Sequence, residues 1–285
     1  MIPAAFEYRR ATSLDDALKA IAGGDAKVLA GGMSLLPLMK LRLASPGKLV
    51  DIGRLTELKG VRRLDDGRLA IGALTTYAEL LQSPASNYGL LRDALPIIGD
   101  VQVRNRGTVG GSIAHADPAS DLPACLLALD AELVARSSTG ERTIPVDGFL
   151  EGAFTTGLQP DEILTEIRLP GPRDDAGSAY VSLQNKASGY AIVGVAAVVF
   201  SGDGGTIGSA NVAVTGVGDV AYRARAVESA LAASDGSPGA IAAAAEHASD
   251  GLTVNSDIHA DRDYRTRMAV VYTRRVLEAA LARLA

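Results

Sequence analysis

The chain has 285 residues, a formal net charge of −5, and 47% apolar against 21% charged residues. That composition fits a globular protein of two or three packed units and excludes a disordered chain. The acidic balance, with no basic stripe, argues against nucleic acid or an anionic membrane as partners.

The longest apolar runs, such as AIVGVAAVVF, are too short to span a bilayer, and MIPAAFEYRR lacks the pattern of a signal peptide. A cytoplasmic protein is expected. Cys125 is the only cysteine, which rules out an internal disulfide and a cysteine-ligated iron–sulfur cluster.

In chain order, a first helix follows Phe6-Glu7-Tyr8. Ser13 and Asp16 read as a capping box, Leu14, Ala17, Leu18 and Ile21 share a face, and Gly23-Gly24 ends it. Lys27 to Ala30 reads as a short strand, Leu35 to Leu43 as a helix, and Leu49 to Ile52 as another strand. This α-β-α-β order makes a small α/β unit of residues 1–55.

A second unit, 56–175, opens with VRRLDDGRLAIGAL, a hairpin around Asp66-Gly67. Two helical patterns follow, TYAELLQ and LLRDALPII, then a β-like GTV, a helix from Asp121 to Asp130, a hairpin around Thr139-Gly140, and the strand ILTEIRLP. PGPRDDAGS has linker composition. The third unit, 176–285, contains the strand candidates YVSLQN, AIVGVAAVVF and SANVAVTGV and three Ala-rich helices. The class is therefore α+β in three pieces, the last a three-stranded sheet with helices.

Two segments share one order: an apolar run, paired glycines, a small hydroxyl, then a helix. KVLAGGMSLLPLMKLR carries Gly31-Gly32 and Ser34, and RNRGTVGGSIAHADPASDLP carries Gly110-Gly111 and Ser112. Paired glycines permit φ > 0 and close backbone approach, and exposed N–H groups in such turns suit phosphate. One such turn alone is more often only a turn. Two with matching order point to a single diphosphate gripped from both sides.

Thr108 and Ser112 add hydroxyls around the second glycine pair, and Lys27 or Lys40 offers positive charge. Asp117 and Asp121 read as helix caps, sugar-hydroxyl acceptors, acid/base groups or metal ligands. Asp121 is well placed as an N-cap. His115 is the only histidine near the site, with His247 and His259 elsewhere, so no metal cluster is expected. TGVGDVA matches G-x-G-x-x-A, but no second strand with an acidic residue follows, and it reads as a structural turn. Cys125 on an apolar helix face reads as packing.

The two glycine segments, with ILTEIRLP and KASGYAIVGVAAVV, resemble the FAD-binding medium subunit of molybdenum hydroxylases, such as the CO dehydrogenase type and the flavin domain of xanthine dehydrogenase. The likeness runs almost end to end. It implies FAD held between the first two parts and capped near the third. By carry-over, Val28, Leu29, Ala30, Gly31, Gly32, Met33, Ser34 and Leu35 cradle the pyrophosphate from one side, with Lys27 beside them. Thr108, Gly110, Gly111, Ser112 and Ile113 face it from the other. His115, Ala116, Asp117 and Asp121 belong to the ribose and adenosine half, and Leu164, Lys186 and Tyr190 to the isoalloxazine.

Two positions depart from the family pattern: Met33 stands where histidine or glutamine is frequent, and Gly189 where an acidic residue is common. The resemblance also implies a molybdopterin-binding large subunit and a [2Fe–2S] small subunit as partners, in a dimer of heterotrimers. The implied role is electron transfer from those clusters through FAD to an external acceptor. A self-contained flavin oxidase or reductase and a non-catalytic nucleotide-binding subunit are the rivals.

Overall fold

A computed structural model describes residues 2–284. The first sheet is parallel, in the order β1-β3-β2, built from β1 (Glu7–Arg10), β2 (Ala26–Leu29) and β3 (Lys48–Asp51). Helix α1 (Leu14–Ile21) lays Leu14, Ala17, Leu18 and Ile21 against Val50 and Ile52, and α2 (Leu35–Lys40) follows the first glycine pair. The strand β1 is an addition to the expected α-β-α-β order. Its EYRR sequence has no apolar alternation and all four residues are exposed, so only pairing with β3 reveals it. Ser13 Oγ accepts from the Asp16 amide as expected, while the Asp16 carboxylate accepts from the Thr12 amide, so the reciprocal half of the expected box is shifted by one residue.

The second sheet is antiparallel and contains β4 (Val61–Arg63), β5 (Leu69–Gly72), β6 (Glu132–Arg136), β7 (Glu141–Pro145) and β10 (Ile163–Leu169) in the order β4-β5-β10-β6-β7. Both expected hairpins form, Gly67 taking φ +84° in the first. Between them lie α3 (Tyr77–Leu81), α4 (Gly89–Ala94), α5 (Val101–Arg106), α6 (Val109–His115) and α7 (Asp121–Ala128). A short pair, β8 (Leu150–Gly152) with β9 (Thr155–Thr156), precedes β10.

Helix α3 begins in a capping box: the Glu79 amide donates to Thr76 Oγ1 at 3.2 Å and the Thr76 amide to the Glu79 carboxylate at 2.7 Å. Thr76→Ala should lower stability by about 1 kcal/mol, read as a shift of the urea midpoint.

The third sheet runs β11 (Ala176–Gln184), β12 (Ala191–Ser201), β13 (Ile207–Thr215), β14 (Tyr222–Arg223). It has four strands where three were expected, because the two-residue β14 is too short to leave a pattern. Along β12, Ala196 and Val198 face the core shared with α7, while Val193, Val195, Ala197 and Val199 face a second core. That second core lies under α8 (Arg225–Leu231), α9 (Pro238–Ala245) and α10 (Arg262–Leu281). Burial on both faces explains the unbroken apolar run. Every residue of α7 is buried, Cys125 included.

Candidate functional site

The two glycine segments come together. A Cβ added to Gly31 would lie 2.0 Å from the Arg106 carbonyl oxygen and 3.2 Å from Gly107 Cα, and one on Gly111 would lie 3.9 Å from Ala30 Cβ. Both segments line one cavity of about 310 Å³, within the range of small-molecule sites. It is bounded further by the start of β10 and the loop at Ser188–Tyr190, so all three parts of the chain contribute.

The first segment behaves as a phosphate-type nest. Gly32 takes φ +77°, and its carbonyl accepts the Leu36 amide. The amides of Gly31, Gly32, Met33, Ser34 and Leu35 donate to no group among the described residues, and all five residues line the cavity. Unpaired buried or half-buried donors are costly, so a run of five calls for an acceptor-rich ligand. Val28, Leu29 and Ala30 lie in the same wall with exposed Lys27, whereas Lys40 lies outside it.

The second segment corrects the expected strand and turn. GTV is no strand: Thr108 is the N-cap and Val109 to His115 are helical. The reason is a neighbour distant in sequence. The Val109 amide donates to the Thr75 carbonyl at 3.0 Å and the Gly110 amide to Ala73 at 2.9 Å, while Gly111 donates to Thr108 Oγ1 at 3.1 Å. Gly110 is required because a Cβ there would meet Ala73 Cβ at 2.5 Å. The first-turn amides of α6 are thus already paired, and no empty anion nest is left there. What this segment presents to the cavity is Thr108, Gly110, Gly111 and Ser112, the last sharing a 2.9 Å hydroxyl bond with Ser120.

His115, Asp117, Asp121, Leu164 and Tyr190 also line the cavity. Ile113 and Ala116 do not: Ile113 is fully buried, and Ala116 is the buried left-handed cap of α6, its carbonyl accepting the Phe154 amide. Lys186 is exposed and outside the lining. Asp121 is not the N-cap of α7, since Ser120 is. It sits one residue inside, 4% exposed, and accepts the Tyr180 hydroxyl.

Burial raises the Asp121 carboxyl to about 6 against the opposing Tyr180 bond. Burial holds His115 below its usual value, with Lys27 adding to this and Asp117 opposing, and its ring lies 5.1 Å from Phe154. Tyr77 is pushed up to about 12, mainly by burial.

Residues 4–172 match the family model described as the FAD binding domain in molybdopterin dehydrogenase, and residues 178–280 match that of the CO dehydrogenase flavoprotein C-terminal domain. The chain belongs to this flavoprotein family. Its cofactor is FAD and its class is oxidoreductase.

The flavoprotein is 41% identical to the carbon monoxide dehydrogenase medium chain of Hydrogenophaga pseudoflava, covering all of both chains. It is 39% identical to subunit alpha of the 6-hydroxypseudooxynicotine dehydrogenase complex of Paenarthrobacter nicotinovorans, over 99% of this chain and 97% of that one. A solved structure of the Hydrogenophaga pseudoflava carbon monoxide dehydrogenase, lacking the Mo-pyranopterin moiety, superposes with TM-score 0.95 at 42% identity, covering all of both chains.

The flavoprotein's residues fit the cofactor: five free amides suit the diphosphate, and the glycines leave no Cβ where the backbone segments meet. Sequence reading missed Glu162 and Tyr77 in the lining. Glu162 is held by Arg142 through two bonds of 2.6 and 2.7 Å and by the Gln159 amide, which keeps its carboxyl below the usual range. No local motif marks either residue. Only the packing of β10 and α3 beside the glycine segments brings them in.

Proposed function

We propose that this chain is the electron-transfer subunit of a molybdenum hydroxylase complex, passing electrons from a partner's [2Fe–2S] clusters by way of FAD to an external acceptor. The observation that carries the reading is the run of unpaired amides from Gly31 to Leu35 lining the cavity. When bound, FAD supplies the redox chemistry, exchanging electrons singly or in pairs.

The chain's own work is binding and exclusion of water. The nest holds the diphosphate, and Asp117 and Asp121 accept from sugar hydroxyls. Leu164 and Tyr190 line the ring end. Cys125 is the sole cysteine and fully buried, so the clusters must belong to another subunit. Nearly equal identity to relatives named for carbon monoxide and for 6-hydroxypseudooxynicotine supports placing substrate choice on a large molybdopterin subunit. No helix among the described residues is long and apolar enough to cross a membrane; the assembly proposed is a cytoplasmic dimer of heterotrimers.

The test is native purification with spectra and metal analysis. About one FAD per chain should be found, together with subunits bearing molybdenum and iron. A folded chain that takes up no flavin from excess FAD would refute the proposal. Steady turnover by the isolated chain would favour a self-contained oxidase or reductase.

A further inference from the structure

Tyr180 does not line the flavin cavity, yet it touches a residue that does. It lies on β11, 3% exposed, on the face shared with Ala196 and Val198, while its neighbour Ala179 faces the second core. Its amide donates to the Asp93 carboxylate at 3.1 Å, and that carboxylate also accepts Arg283 at 2.5 and 3.0 Å. The backbone at Tyr180 is therefore tied to α4.

The Tyr180 hydroxyl donates to Asp121 Oδ1 at 2.5 Å, joining the third part of the chain to α7. A glycine makes room for it: a Cβ on Gly194 of β12 would lie 2.1 Å from the hydroxyl oxygen. Phenylalanine would suit the same apolar setting and bring no polar atom to satisfy, so the bond to Asp121 is what tyrosine adds here.

Asp121 has a second oxygen. Oδ2 receives no hydrogen bond from another described residue. Nor is it one of the buried polar atoms cut off from both partner and solvent, so it opens onto the cavity that Asp121 lines. The terminal torsion of an aspartate is broad, and the bond from Tyr180 fixes the plane of this carboxylate.

We infer that Tyr180 is a positioning residue for FAD: its hydroxyl holds the Asp121 carboxylate so that Oδ2 faces a sugar hydroxyl of the cofactor. The inference rests on the reading above that Asp121 accepts from a sugar of FAD. It gives the third part of the chain a hold on a cofactor whose diphosphate is gripped by the first.

The same bond favours the charged form of Asp121 against burial, which places the carboxyl at about 6. The other titratable groups facing it are Cys125 one turn along α7, Tyr77 of α3 and Tyr190 before β12, each pushed up mainly by burial and neutral at pH 7. Lys27, His115, Asp117 and Glu162 also line the cavity, and none of them bonds the carboxyl. An ionised Asp121 accepts from the sugar, so FAD affinity is full above pH 6 and falls as pH drops through it. Without the hydroxyl, burial acts unopposed and the fall begins at higher pH.

The full-length chain, stripped of flavin, should be titrated with FAD from about pH 5 to about pH 9, with binding read by flavin fluorescence. Asp121→Ala should lose about tenfold in affinity at neutral pH and flatten the profile. Tyr180→Phe should lose about fivefold at neutral pH, with the midpoint of its profile moved upward. Added to Asp121→Ala, Tyr180→Phe should change affinity by less than about twofold. Far-ultraviolet circular dichroism checks that each variant is folded. Wild-type affinity and pH profile in Tyr180→Phe, or an equal loss with and without the Asp121 carboxylate, would overturn this inference alone. Unchanged FAD affinity in Asp121→Ala would overturn the parent assignment instead.

Discussion

Gly31→Ala is expected to purify as a folded chain whose FAD affinity is about a hundredfold lower. The added methyl would sit 2.0 Å from the Arg106 carbonyl oxygen and 2.8 Å from its carbon, both backbone atoms. That backbone has little room to retreat. Gly107 is wedged against Tyr77, whose ring would lie 2.8 Å from a Cβ there, and its carbonyl accepts the Tyr77 amide.

The loop from Gly31 to Leu35 must lift, and its unpaired amides lose their aim. Two charge-assisted hydrogen bonds at roughly 1.5 kcal/mol each amount to about a hundredfold in affinity. Gly23→Ala is the matched control, since nothing lies within 4 Å of a Cβ there. The ratio of flavin to protein absorbance after dialysis reads the effect, and wild-type flavin content in Gly31→Ala would refute the nest.

Asp121→Asn is expected to stabilise the flavin-free chain at neutral pH. Asp121 is buried, and its carboxyl is raised from 3.8 to about 6. A raised carboxyl favours the folded state while protonated. Its contribution is fully present below about pH 4, and is lost as pH rises through 6. The cost at pH 7.5 is about 3 kcal/mol on this shift.

Asparagine keeps the shape and still accepts the Tyr180 hydroxyl, but carries no charge to bury. Urea unfolding at pH 7.5 should show a gain of about 3 kcal/mol, shrinking toward zero at pH 4. A gain that is the same at both pH values would exclude the buried charge as its source. A carboxylate kept at such cost on a cavity wall is the mark of a binding group, and FAD retention by Asp121→Asn should fall even as the apoprotein gains stability.

Some features were legible because they are local. The hairpins at Asp66-Gly67 and Thr139-Gly140, the Ser13 cap and the Ala-rich helices each depend on residues a few positions apart. The repeated glycine-hydroxyl order also marked both segments that meet at the cavity. Other features were not legible because a distant backbone decides them. β1 exists only through β3, and the Val109–His115 helix, read from GTV as extended, is set by the carbonyls of Ala73 and Thr75. Asp121 looked like a cap, yet Ser120 occupies that position and Asp121 turns inward to Tyr180, 59 residues away.

By itself the sequence determined that one cysteine bars a cysteine-ligated iron–sulfur centre, that the class is α+β, and that two glycine pairs mark the segments lining the site. The tertiary structure decided which of the two pairs offers free amides. The amides of Gly31-Gly32, just after β2, meet no acceptor among the described residues, whereas the amides of Gly110-Gly111 bond to Ala73 and to Thr108. The difference is physical: an amide beside a carbonyl or hydroxyl oxygen within hydrogen-bond reach, as at Gly110 and Gly111, is already satisfied, while one with no such neighbour is left for a ligand.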